Sequence, residues 1–224
     1  MKKIMLIDDR TARQLRFTKE SGINLDDYSD ILDNYTADNY NGLLEEFKND
    51  NFSKLDIYDV IITHRSAFGD LNGKVINIFK DICKKNQKSL VFFSGGISNI
   101  SMSTYPFEHL LLNSKIFYSH NLELFFENLK TNNIKLLILA FGSNWKLNLL
   151  LTTLEKINLY VGENHDENEI VYDDFIDETN IELIKEFLTF EQPDIENDFV
   201  KMSELKKITH DLTNQIKQQV VLNV

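Results

Sequence analysis

The chain has 224 residues and a formal charge of −11, from 24 Lys and Arg against 35 Asp and Glu. With 42% hydrophobic and 26% charged residues it can bury a sizeable core, which excludes a disordered or fibrous chain. The acidic excess works against direct contact with nucleic-acid phosphates or anionic lipid, and the single Cys83 excludes an internal disulfide or a four-cysteine zinc framework.

The opening Met1–Ile7 run has a basic start, but its apolar stretch stops at Asp8 and Asp9, too short for a signal-peptide core. No apolar run approaches the ~20 residues that span a bilayer. The expectation is a protein of a reducing cytoplasm.

Lys3–Asp8 reads as a buried strand, because a short continuous apolar run suits a strand covered on both faces. Thr11–Ser21 reads as a helix that Gly22 stops. Tyr28–Thr36 is expected as a second strand, and Tyr40–Phe47 as a helix with Leu43, Leu44 and Phe47 on one face. Asp59–Thr63 forms a third strand, and Val75, Ile76, Phe79 and Ile82 follow at helical spacing. Lys88–Ser94 is the fourth strand and Lys115–Ser119 the fifth. Asn121–Leu129 places Leu122, Phe125, Phe126 and Leu129 on one helical face, and Ile134–Phe141 reads as a further strand.

Past Gly142 the pattern changes. Ser143 suits the cap of a helix to about Lys156, and Asn158–Val161 a strand. From Gly162 to Asn180 the chain has eight acidic residues and no Lys or Arg, which predicts a solvated loop; a calcium site there lacks the Asp-x-Asp-x-Asp-Gly spacing. Thr179 with Glu182 fits a capping box. Met202, Leu205, Ile208, Leu212, Ile216 and Val220 then mark an amphipathic terminal helix, covered by its own domain or by a protein partner or second copy.

Alternating strands and helices predict an α/β fold with a mainly parallel sheet, whose ligands sit beyond the carboxyl ends of the strands. The residues placed there are Asp8, Asp9, His64, Arg65, Ser94, Gly95, Gly96, Ser119, His120 and Gly142. Asp8 and Asp9 can hold magnesium, or one can cap the next helix while the other is solvated. Gly69–Lys74 lacks the spacing of a phosphate-binding loop, and Ser94-Gly95-Gly96 lacks the first glycine of a nucleophile elbow.

Lys3–Asp9, Asp59–His64 with Asp70 and Gly73 downstream, Leu90–Gly95 and Phe117–Leu124 occur in the order and spacing of a known pattern. Residues 1–132 resemble the receiver domain of two-component response regulators, and residues 133–224 form a C-terminal α/β extension. The resemblance implies a flavodoxin-like fold, magnesium at Asp8 and Asp9, a phosphoryl contact at Ser94, and a switching aromatic near Phe117. Two departures stand against phosphoacceptor activity. The family's phosphorylated aspartate falls on His64, and its lysine on His120 or Ser119.

His64 and His120 with Asp8 and Asp9 also suit a hydrolytic metal site. Arg65 can instead pair with Asp8 or Asp9 and replace the ion by an internal salt bridge. The expected function is a degenerate receiver-like regulatory protein acting through protein contact. The alternatives are a magnesium-dependent phosphotransfer or phosphohydrolase protein and a structural subunit of a larger complex.

Overall fold

The computed structural model describes residues 4–37, 39–103, 106–131, 136–145, 169–171, 199–201, 210 and 214. The chain divides into two units, Met1–Ser143 and Asn144–Val224.

The first unit is built on β1 (Ile4–Ile7), α1 (Thr11–Ser21), β2 (Leu32–Tyr35), α2 (Tyr40–Lys48), β3 (Val60–His64), α3 (Asn72–Asn86) and β4 (Ser89–Ser94). Then follow β5 (Ser101–Ser103), β6 (His109–Asn113), α4 (Ser114–Phe117), α5 (His120–Lys130) and α6 (Leu136–Phe141). The six strands lie in the order β2-β1-β3-β4-β6-β5, all parallel except the edge strand β5. This is the flavodoxin-like arrangement with one antiparallel strand added. β1, β3 and most of β4 are buried throughout, which explains their continuous apolar sequences.

One face of the sheet packs Met5, Ile7, Ile61, Leu90 and Phe92 against Leu43 and Phe47 of α2 and Val75, Phe79 and Cys83 of α3. Phe47 and Phe79 meet edge to face at 5.6 Å between ring centres, a favoured aromatic geometry. On the other face Phe93 stacks on Phe117 at 4.3 Å, and Tyr118 stacks on Phe17 of α1 at 5.8 Å.

Several expectations need correction. Lys115–Ser119 is not the fifth parallel strand; β6 is, and the chain turns directly from it into α4. Asn113 causes the turn, because its Oδ1 accepts a hydrogen bond from the Lys115 N–H at 2.9 Å and starts a helix. Phe117 is therefore on a helix, and His120 opens α5 rather than ending a strand. Ile134–Phe141 is not a strand either: its described part, Leu136–Phe141, is α6. Leu136, Ile138, Leu139 and Ala140 are buried while Leu137 and Phe141 are half-buried, so the run is apolar throughout and fits a short core helix as well as a strand. Gly142 follows at φ +59°, a left-handed conformation that suits glycine and ends the helix.

The second strand is shorter than Tyr28–Thr36, because Leu25–Tyr28 closes into a 3-10 turn on the Asn24 side chain, which accepts from the Asp26 N–H. In the second unit, Glu169–Val171 of the acidic stretch is β7 and pairs antiparallel with β8, Phe199–Lys201, so that part is not loop. His210 and Asn214 are helical, one turn apart, with Asn214 Nδ2 and His210 Nε2 at 3.0 Å. The Asn158–Val161 strand, the capping box at Thr179 and the apolar positions of the terminal helix lie outside the described residues. Among the described residues no helix is long and apolar enough to cross a membrane.

Candidate functional site

The strand order puts a switch point between β1 and β3: α1 leads from β1 to β2 on one side, and α2 leads back to β3 on the other. Ligand crevices in such sheets open at that point, beyond the carboxyl ends of the strands. Asp8 and Asp9 follow β1 directly and His64 ends β3, so the parallel register that pairs Ile7 with Thr63 brings these three residues together.

Asp8 is fully buried. Its carboxylate accepts hydrogen bonds from the Arg10 N–H at 3.1 Å and the Tyr118 hydroxyl at 2.8 Å. It also accepts from Arg13, through Nε at 3.3 Å and through a second, very close contact from the terminal guanidinium nitrogen. The same nitrogen donates to Asp9 Oδ1 at 2.8 Å. Arg13 thus bridges both carboxylates, with only 15% of its side chain exposed. Burial of two carboxylates without a cation would cost several kcal/mol, on the order of 3–5 for a broken buried pair. Arg13 supplies that cation from within the chain. Asp8 and Asp9 hold it above its ordinary pKa against the opposing effect of burial, which is the largest single influence.

His64 is buried and lies edge-on to Phe93 at 5.4 Å. Its Nδ1 is 3.5 Å from Asp9 Oδ1, 3.4 Å from the Ser66 backbone nitrogen and 3.2 Å from Ser66 Oγ. Burial, followed by the charge of Arg13, lowers the His64 pKa, and this outweighs the opposing pull of Asp8 and Asp9. The ring is therefore neutral near pH 7, and the Ser66 N–H donating to Nδ1 assigns the proton to Nε2.

Tyr118 closes the floor. Its hydroxyl donates to Asp8 and accepts from Gln14 Nε2 at 3.3 Å, and Gln14 exchanges amide hydrogen bonds with Asn34 of β2 at 3.0 and 2.8 Å. Burial, then the Asp8 charge, raises the Tyr118 pKa well above its ordinary value, so the phenol stays a donor.

Of the residues expected at the strand ends, Asp8, Asp9 and His64 are brought together. Arg65 is not the cation of the pair; it is exposed and lines a separate cavity. Ser94 ends β4 half-buried, with its Oγ 3.5 Å from the Gly96 nitrogen. His120 is 69% exposed and bonds Glu123 at 2.6 Å on the first turn of α5. Sequence reasoning missed Arg13 and Tyr118. Arg13 was accessible, because it lies four residues after Asp9 on a helix that starts at Thr11, the spacing at which opposite charges meet. Tyr118 carries no such local signal.

The donor set does not suit magnesium, which demands open oxygen ligands in near-octahedral geometry. Arg13 and its companion donors take both oxygens of Asp8, and the third position is an imidazole. Among the described residues no group of three or more His, Cys, Asp or Glu side chains is placed to hold a metal ion. Cys83 offers no alternative nucleophile: it is buried, and burial pushes its thiol up to about 12. No protein-family model, curated protein or solved structure matches the chain.

Proposed function

We propose that this is a receiver-like regulatory protein that works through contact with a protein partner and takes no phosphoryl group. The observation that carries the reading is Arg13 bridging Asp8 and Asp9 beside a neutral His64. An acyl phosphate needs a carboxylate at residue 64, and an imidazole cannot provide one. The cation that would steady an incoming phosphate is already internal and spent on two carboxylates. The whole chain carries a formal charge of −11, which favours a protein partner over nucleic acid or an anionic membrane. The reducing cytoplasm is the compartment that suits its single buried thiol.

The test combines intact-mass measurement with partner capture. After treatment with acetyl phosphate and magnesium, the full chain should show no stoichiometric phosphoryl adduct. A partner recovered from the native host and mapped by cross-linking should bind equally with and without that treatment. A phosphoryl adduct on Asp8 or Asp9, or binding that depends on the phosphodonor, would overturn the proposal.

A further inference from the structure

A second constellation lies apart from the Asp8 cluster. β4 and β6 are adjacent and parallel, and such a pair needs a crossover that a helix usually supplies over the sheet face. Residues 95–108 make this crossover, yet their only regular element among the described residues is β5, which lies in the plane of the sheet. The face is therefore left with a cavity of about 310 Å³, walled by Arg65, Asn72, Ile76, Lys80, Phe92, Ser101, His109 and Leu111.

The walls are of two kinds. Ile76, Phe92 and Leu111 are apolar, while Arg65 follows β3, Lys80 lies on α3, and Ser101, Asn72 and His109 add polar groups. Among the described residues no carboxylate lines the cavity. Arg65 and Lys80 have no ion pair among the described residues. Two buried polar atoms on these walls, Asn72 Oδ1 and His109 Nδ1, also have no hydrogen-bond partner among the described residues. Buried polar atoms are paired as a rule, so two such atoms on one cavity wall mark it as a place for a further polar group.

We infer that this cavity binds a small organic anion, its carboxylate or phosphate ester held by Arg65 and Lys80 and its apolar body seated on Ile76, Phe92 and Leu111. The guanidinium fork matches both anions, and the volume falls at the small end of the ~300–1,000 Å³ range of ligand sites.

Amide and side-chain NMR shifts of the full chain, titrated with phenylacetate, phenyl phosphate, inorganic phosphate and benzyl alcohol at millimolar concentration, test the inference. Saturable shifts at Arg65, Lys80 and Leu111 are expected with one or both aromatic anions, and their ratio identifies the preferred head group. Arg65→Ala and Lys80→Ala change exposed side chains, so the fold should survive, and each should weaken binding by about tenfold. The inference fails if neither aromatic anion saturates, if benzyl alcohol or inorganic phosphate binds as tightly, or if both variants bind like the parent.

Discussion

Replacing Arg13 by alanine strands a fully buried carboxylate. Asp8 loses its two guanidinium hydrogen bonds and Asp9 loses one, while Asp8 keeps the Tyr118 hydroxyl and the Arg10 N–H. Removing one partner of a buried pair costs about 3–5 kcal/mol. Two donors remain on Asp8, and 21% of the Asp9 side chain is exposed, which places Arg13→Ala at the lower end, about 3 kcal/mol. For a chain of this length that lowers Tm by roughly 6–12 °C. Asp8→Asn in the Arg13→Ala background should recover stability, because the stranded charge is gone, giving a coupling of about 1.5 kcal/mol or more in a double-mutant cycle. Urea unfolding followed by circular dichroism reads both quantities. An Arg13→Ala cost within about 1 kcal/mol, or additive single changes, would refute the internal ion-pair reasoning.

Three further outcomes follow from the same geometry. Tyr118→Phe removes a donor to a buried carboxylate and should cost about 1.5–3 kcal/mol in urea unfolding. Because burial holds the His64 pKa below 6.5, the unfolded chain binds this proton first as pH falls, so stability present above that value should decline below it until the folded ring also protonates. Thermal unfolding between pH 7.5 and 5 checks this, and His64→Gln should flatten the slope. Gly142→Ala combines a positive φ with a collision between the new Cβ and Asn121 Oδ1, so it should cost about 1 kcal/mol or more in the same assay; an unchanged Tm would contradict the turn geometry.

The parts of the fold that could be read from sequence were those with one physical explanation. β1, β3 and β4 are continuous apolar runs because α/β sheets are buried on both faces, and α5 shows its face at helical spacing. Leu136–Phe141 misled because a run that is apolar at every position has no period to read. The turn from β6 into α4 rests on one capping bond at Asn113, too small a signal to shift an apparent strand. At the site, the carboxylate pair and His64 were legible from topology. The choice between Arg65 and Arg13 was decided by helix direction: α1 carries Arg13 back over Asp9, whereas Arg65 leaves β3 toward the opposite cavity. The Tyr118 contact spans 110 residues and depends on tertiary packing alone.

Arg13 supplies the cation between Asp8 and Asp9, and magnesium calorimetry on the full chain at neutral pH tests this most directly. No saturable heat is expected at millimolar magnesium for the parent protein, and none for Asp9→Asn. Saturable binding by the parent that Asp9→Asn abolishes would contradict it and restore a metal-dependent reading of the pocket.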